Sequence, residues 1–399
     1  MRVRKAGVLT IFSGHALIAA VALLSLLCVT GLGSAGAQTA GDEFQLARAG
    51  NTFVHTQFGG QVFGFDIDQN GSEGVLSEAQ TLSNGNVLAA VETFDQRTGK
   101  ILNVEVKTQT QDDFVTMGIV GNAVGLVERE HVVSFLNVQR TFAILNPVSA
   151  NKFTGTWKPP IDKKHIVSAV SRNQGSSTVA VFAEDVSGNF TPVVFSSNVA
   201  ANTFGPVIKI TDQNFTSGSN PAMAYDSGNN TAVLAHSTLG NPFVPPFIAL
   251  VDLSTGTFTT FQGQGLGDVN GIAVDPVTHI ACTTTEINFS VQFYDLVHQT
   301  GFNETLPGAT NQIFSGADVQ FDPIHKLFLV AQPVSSTAAR GSSIHVFDEQ
   351  GNVIESINGF SFSNTFNVVP AHIALKPSTR SGFVDGPDAG VTEIQSFRY

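Results

Sequence analysis

The segment Asp66-Ile-Asp-Gln-Asn-Gly71 sets oxygen-bearing side chains at alternate positions and ends on glycine. Asp66, Asp68 and Asn70 are the hard-oxygen ligands of the first half of a calcium loop, and the glycine supplies its sharp turn. An EF-hand closes on Glu at the twelfth position. Here that position is Ser77, and Glu78 comes one residue late. The run also reads as a polar turn, because Asp and Asn-Gly favour turns without any metal. G-x-S-x-G, H-E-x-x-H and C-x-x-C do not occur, so esterase-elbow, zincin and dithiol chemistry have no basis in the sequence. Gly263-Gln-Gly-Leu-Gly267 is glycine-rich, but no helix follows it, and a phosphate cradle needs one. It reads as a loop between strands.

The elements that position these residues are repeated. Pro221-Ala-Met-Ala-Tyr-Asp226, Gly271-Ile-Ala-Val-Asp-Pro276, Ala317-Asp-Val-Gln-Phe-Asp-Pro323 and His372-Ile-Ala-Leu-Lys-Pro377 are each a short apolar strand ending in a polar turn. A second anchor is a small or polar residue followed by Gly or Asn: Thr98-Gly99, Ala150-Asn151, Ala201-Asn202, Thr255-Gly256, Thr300-Gly301 and Gln350-Gly351, at spacings of 52, 51, 54, 45 and 50. Gly and Asn accept the left-handed backbone of a hairpin turn. Each anchor is placed between the third and fourth strands of a four-stranded unit. A repeat of this length, built from short strands, is the signature of a β-propeller blade. The expectation is an all-β, seven-bladed propeller. The last unit has three strands, and residues 51–58 are expected to supply its outer one, pairing both chain ends. An eight-bladed count follows if Gln61–Glu78 belongs to an extra partial blade. The Phe residues, 32 against one Trp and three Tyr, are spread over every repeat and read as packing between blades.

In such a fold the first strands line a central channel. Their leading ends carry Gln61, His165, Asn220, Asn270, Asp318 and His372, which converge on one mouth. Asp318, Asn270 and Asn220 are the expected ligands if a divalent cation such as calcium binds there, with Glu78, Glu286 and Glu130 as loop contributors; the alternative is a solvated channel end. Long connections at 128–140, 236–246 and 332–342 widen the same face, where propellers bind ligands.

Residues 1–37 read as a secretory signal peptide: Arg2, Arg4 and Lys5, an apolar core over 16–29, and Ala35-Gly-Ala37 before Gln38. Residues 38–50 are expected to be a flexible N-terminal segment, and 51–399 to form the propeller domain. Cleavage moves the formal charge from −12 to −15. An acidic surface disfavours nucleic acid and anionic lipid, no later stretch is apolar enough to span a bilayer, and the mature chain is expected to be secreted or periplasmic. Lys and Arg are scattered with no basic stripe. Cys28 leaves with the signal, so Cys282 has no disulfide partner and reads as a small buried hydrophobe.

The unit Asn270-Gly-Ile-Ala-Val-Asp-Pro-Val-Thr-His279, followed by Val291-Gln-Phe-Tyr-Asp295 and Thr300-Gly301, resembles the NHL and YVTN groups of propeller repeats. The resemblance covers about four of seven blades. It implies a propeller lineage whose relatives include extracellular scaffolds and metal-dependent hydrolases or lyases of the gluconolactonase type. The expected function is a secreted scaffold for a small molecule or an extracellular protein. The alternative is a lactonase- or lyase-type enzyme acting at the channel mouth. Glu92-Thr-Phe-Asp-Gln-Arg-Thr-Gly-Lys-Ile101 resembles a quinoprotein repeat but lacks the Trp that should follow, which argues against a quinone.

Overall fold

The computed structural model describes residues 49–399 apart from 56–60, 68–71, 82–86, 110–124, 129–130, 135–141, 146–152, 158–159, 162–164, 172–177, 186–190, 199–200, 202, 213–214, 216–220, 237–243, 266–268, 286–289, 308–317, 333–341, 361–371 and 389–390. Among the described residues, alternating and near-continuous runs of apolar, β-branched residues between polar turns make every regular element a short strand, save for isolated 3-10 turns.

After β1 (Ala49–His55), four strands form sheet 1: β2 (Gln61–Ile67), β3 (Glu73–Thr81), β4 (Val87–Asp95) and β5 (Ile101–Gln109). Sheet 2 is β6 (Gly125–Glu128), β7 (His131–Ser134), β8 (Phe142–Leu145) and β9 (Phe153–Trp157). Sheet 3 is β10 (His165–Val170), β11 (Thr178–Asp185) and β12 (Val193–Asn198), with its fourth position split between β13 (Thr203–Phe204) and β14 (Ile208–Lys209), both paired to β12. Sheet 4 is β15 (Ala222–Asp226), β16 (Thr231–His236), β17 (Phe247–Asp252) and β18 (Phe258–Gln262). Sheet 5 is β19 (Val269–Val274), β20 (Ile280–Thr285), β21 (Ser290–Asp295) and β22 (Thr300–Thr305). Sheet 6 is β23 (Val319–Asp322), β24 (Leu327–Gln332), β25 (Ser342–Phe347) and β26 (Val353–Phe360). Sheet 7 is β27 (Ile373–Lys376), β28 (Ser381–Asp388) and β29 (Val391–Arg398), completed by β1 on the outer edge of β29. The described residues thus form seven antiparallel sheets, and a strand from the N-terminal part of the chain pairs with the last.

First strands lie beside first strands. β10 contacts β15, β15 contacts β19, then β23, β27, β2 and β6 follow in turn. The core lies between sheets. One cluster joins Leu329 and Ile344 of sheet 6 to Ile373 and Phe397 of sheet 7; another joins Cys282 and Phe293 of sheet 5 to Phe321 and Phe328 of sheet 6. Phe293 meets Phe328 and Phe347 edge-on at 5.7 and 5.9 Å, geometry that the ring quadrupole favours. Phenylalanine packing between sheets is therefore observed. Cys282 is fully buried, which pushes its thiol pKa well up.

Four expectations about local register are corrected. Gly301 lies inside β22, and the left-handed residue of that turn is Gln299 (φ 55°), matching Gly99, Gly256 and Gly351 at 69°, 75° and 81°. The anchor aligned on the wrong glycine because a non-glycine residue occupies the strained position. Residues 128–140 are not one connection: they contain β7, which pairs with β6, leaving 135–141 as the link to β8. Glu78 is a strand residue of β3 opposite Val62, not a loop residue. Asp66 is also in strand, opposite Val75, one residue before the end of β2.

Meander topology sorts the connections onto two rims. Turns between first and second strands, and between third and fourth, share one rim. Those that are fully described are short, among them 227–230, 253–257, 296–299, 323–326, 348–352 and 377–380. Links between second and third strands, and between successive sheets, share the other rim. Long links occur there: 110–124, 237–246, 306–318, 333–341 and 361–372. We call these the turn rim and the loop rim.

Candidate functional site

The predicted mouth residues are at the loop rim, at the leading ends of first strands. Gln61 opens β2, His165 opens β10, Asn270 is the second residue of β19, and Asp318 and His372 immediately precede β23 and β27. Asn220 lies outside the described residues, as do Asp68, Asn70, Glu130 and Glu286.

Three of these starting points are brought together. A side chain at Gly271 would meet the Val319 nitrogen and Asp318 Cα at 2.8 and 2.9 Å, so β19 needs glycine to approach β23 this closely. Asp318 is buried and reaches forward: its Oδ2 accepts the Ile373 N–H at 2.8 Å, while its Oδ1 accepts the Val319 N–H at 2.9 Å. It joins sheets 5, 6 and 7 at their inner ends. His165 Nε2 lies 3.0 Å from the Thr191 carbonyl and donates to it, which ties the histidine to its own sheet.

This geometry bears on a divalent cation. The one carboxylate of the expected set already takes a backbone N–H on each oxygen, and a cation would compete with both. Among the described residues no three His, Cys, Asp or Glu side chains are gathered to hold a metal. The donors as placed do not fit a preformed cation site, and no chemical step is derived through one. Asp66 is buried, and its Oδ1 accepts the Ile67 N–H at 2.8 Å.

The turn rim holds an arrangement the sequence reading missed. Asp226, Asp275 and Asp322 each use carboxylate oxygens to close their own turn. Asp226 Oδ1 accepts the Gly228 N–H at 3.0 Å, Asp275 Oδ1 the Val277 N–H at 2.8 Å, and Asp322 Oδ1 the Ile324 and His325 N–H groups at 2.8 and 3.0 Å. Each also binds the next sheet. His279 Nδ1 donates to Asp226 Oδ2 at 2.7 Å, Lys326 Nζ donates to Asp275 Oδ1 and Oδ2 at 3.0 and 2.9 Å, and the Tyr399 hydroxyl donates to Asp322 Oδ2 at 2.7 Å.

The donors follow a rule. His279 and Lys326 sit four residues after Asp275 and Asp322, directly before a second strand, with φ of 59° and 60°. Asn230 and Arg380 hold the same position with φ of 51° and 47°. At His279 and Lys326 the left-handed turn aims the side chain backwards at the preceding sheet, whereas Asn230 bonds Tyr225 and Ser254 of its own sheet. Arg380 instead stacks on Tyr399, its guanidinium 5.7 Å from the ring, and the tyrosine makes the contact with Asp322. Burial and the Asp322 carboxylate raise the Tyr399 pKa far above the ordinary phenol range.

The junction of sheets 5 and 6 carries one extra acid. Glu349, in the turn before β26, hydrogen-bonds Asp275, and Thr278 Oγ1 lies 3.1 and 3.2 Å from the two carboxyl groups. Partial burial, the hydrogen bond to Asp275 and that group's negative charge push Glu349 up to about 7. Burial also acts to raise Asp275, but hydrogen bonds from Glu349, Lys326, the Val277 N–H and Thr278 outweigh it and hold this carboxyl below its ordinary value. Near neutral pH the pair therefore shares a proton carried on Glu349.

No protein-family model matches the sequence, and no curated protein matches it at a significant level. Among solved structures, the chain is similar to U3-55K, a WD40 β-propeller protein: 11% identity, 88% of this chain and 98% of that one covered, TM-score 0.56. At that identity the likeness concerns the fold alone, and it agrees with the sheets: the chain has a β-propeller fold.

Proposed function

We propose that this chain is an exported seven-bladed β-propeller that binds a protein partner or small ligand through its loop rim. One observation carries the reading: the long connections gather on one rim, while the other is occupied by short turns and the ties between sheets. Binding surfaces concentrate on variable connections held by a rigid scaffold. The neighbour's fold and the four-stranded sheets support a propeller. Seven sheets, first strands in sequential contact and the β1–β29 pairing support seven blades with the ends joined in one. Residues 1–37, read as a signal peptide, support export. The NHL-type resemblance supports the same lineage.

The lactonase-type alternative has no comparable support, because the mouth carboxylate is committed to backbone amides. The binding reading is tested by cross-linking the full chain to intact cells and culture medium of its source. Variants with 237–243 or 333–341 replaced by Asn-Gly should lose the adducts, while Arg398→Gln on the turn rim should retain them. Retention by both loop variants would sink the reading. Intact mass of exported protein should begin at Gln38. Deleting residues 49–55 should expose the edge of β29 and cause aggregation; a monomeric deletion variant with an unchanged melting curve would overturn the joined-ends proposal.

A further inference from the structure

Two successive junctions of the turn rim are built on the same positions, and only one of them is filled by the chain. In sheet 5, Ile280 lies opposite Asp295 and Phe293 opposite Phe302. The two phenylalanine rings stack at 5.3 Å, and Phe293 and Ile280 pack in the core shared with sheet 6. In sheet 4 the same positions are Thr231 opposite Asp252 and Leu250 opposite Thr259. Two hydroxyls and a smaller aliphatic side chain stand where the next sheet has isoleucine and two phenylalanines. The tie differs as well. His279 holds the place of the longer Lys326, and Leu296, next after Asp295, holds the place of Glu349, next after Asp348.

The space this leaves between sheets 4 and 5 is a cavity of ≈ 140 Å³. Asp226, Thr231 and Asp252 line it in one row across three adjacent strands, because Thr231 pairs with Asp226 on one side and with Asp252 on the other. Adjacent strands are about 4.8 Å apart, so one small ligand can reach both carboxylates. Leu250 and Leu296 give the cavity an apolar side, and both pack in the core shared by sheets 4 and 5. Thr259, on the outermost strand, is exposed at its mouth. The lining carries two carboxylates and no cationic side chain. Asp226 is buried and keeps its bond to His279, whereas Asp252 is half-buried and its Oδ1 accepts the Ser254 and Thr255 N–H groups at 2.7 and 3.0 Å. Hydrogen bonds from the Thr255 N–H, the Ser254 N–H and the Thr255 hydroxyl hold the Asp252 carboxyl below its ordinary value.

We propose that this cavity binds a short-chain primary ammonium ion, with its nitrogen between Asp226 and Asp252 and its alkyl chain along Leu250 and Leu296. The next junction displays the same chemistry within the chain, since the Lys326 ammonium donates to both oxygens of Asp275. A lysine side chain is a butylammonium group, and between sheets 4 and 5 such a group comes from outside. An ammonium has three donors and no acceptor. Two carboxylates and a hydroxyl oxygen match it: Thr231 Oγ1 gives its own proton to the Asn229 carbonyl at 3.2 Å, which leaves that oxygen to accept. The volume suits about six heavy atoms, because a cavity of roughly 150 Å³ holds benzene. The fold does not demand hydroxyls at these positions, as sheet 5 packs them with apolar side chains; a polar occupant accounts for them. The site lies on the turn rim and stands apart from the binding surface proposed for the loop rim.

The test uses the mature protein with n-butylamine, ammonium chloride, n-butanol and Nα-acetyl-lysine amide at neutral pH, read by calorimetry and melting temperature. Butylamine should bind and raise the melting temperature, while butanol, its uncharged counterpart, should do neither. Ammonium ion lacks the alkyl chain and should bind roughly tenfold more weakly. Asp252→Asn keeps an acceptor for the turn and removes the charge; it should weaken binding roughly tenfold or more with the fold intact. Thr231→Ile, which installs the residue of sheet 5, should abolish binding without lowering the melting temperature of the free protein. No binding of butylamine at millimolar concentration would overturn the proposal, as would unchanged affinity in Asp252→Asn. Butanol or ammonium ion binding as tightly as butylamine would overturn it too. Such a group has two sources. Tighter binding of butylamine than of the lysine amide assigns a free amine, the reverse assigns a lysine of a partner, and both uphold the ammonium site.

Discussion

At the turn rim, three successive aspartates close their own turns and grip the following sheet; at the loop rim, Asp318 spans two sheets through a backbone N–H instead of a side-chain donor. The turns between them differ in the same sense. Those of the turn rim that are fully described are short and carry an αL residue, whereas long links cross the loop rim. The difference teaches where order is enforced. A rim stapled from sheet to sheet can fix the spacing of the sheets, which leaves the opposite rim free to vary in length and composition. The arrangement suits a scaffold whose binding surface changes while its frame does not.

The strongest way to break this comparison is to remove a staple. Asp322→Ala leaves a buried tyrosine hydroxyl and two turn N–H groups without their acceptor. Loss of one member of a buried, charge-assisted network costs about 3–5 kcal/mol. The urea midpoint should fall accordingly. If the loss stays within about 0.5 kcal/mol, as at an ordinary surface site, the turn rim is not what holds the sheets.

A second effect probes the interior of sheet 6 toward the loop rim. His345 in β25 is buried; its Nε2 donates to Gln332 Oε1, and its Nδ1 accepts from the Ser356 hydroxyl at 2.8 Å. Burial lowers its pKa to about 4. The unfolded chain, with a histidine pKa near 6.5, takes up this proton first as pH falls. Stability is therefore full above about pH 6.5 and declines toward pH 4, by an amount on the order of 3 kcal/mol at most. His345→Gln should flatten this part of the pH profile. An equally steep decline in the variant would assign the acid sensitivity elsewhere.

The contrast between rims also marks what the sequence disclosed. Strand composition and turn residues repeat along the chain, so the sheets and the extra outer strand could be read from local pattern. Thr300-Gly301 misled because Gln299 takes the left-handed turn without glycine. The ties between sheets were illegible because Asp226 and His279 are 53 residues apart, and Asp322 and Tyr399 are 77. Even so, a donor four residues after each first-turn aspartate was present in the sequence as a signal.

Smaller effects sharpen the comparison. Replacing 333–341 with Asn-Gly should change stability by less than about 1 kcal/mol, because closure entropy depends only weakly on loop length. The hairpin between Gln332 and Ser343 can be closed by a short turn of this kind. A loss comparable to that of Asp322→Ala would show that the loop rim bears the fold as much as the turn rim does.

The smallest expected effect is the most diagnostic of the turn rim, because its sign reverses the usual carboxylate behaviour. Glu349 titrates at about 7 in the folded protein and near 4.3 when unfolded. Between those values the folded state holds a proton that the unfolded state has lost. The contribution is therefore full below about pH 4.3 and disappears as pH rises through 7. Glu349→Gln keeps a donor toward Asp275 and cannot ionise. The variant should melt with the wild type at pH 5 and above it at pH 8. Solvent at this half-buried site limits the gain to a few tenths of a kcal/mol, roughly. A difference of equal size at both pH values would mean that shape, not the shared proton, decides this junction. A variant less stable than the wild type at pH 8 would mean that Glu349 works there as an anion, paired with Lys326 instead of held by Asp275.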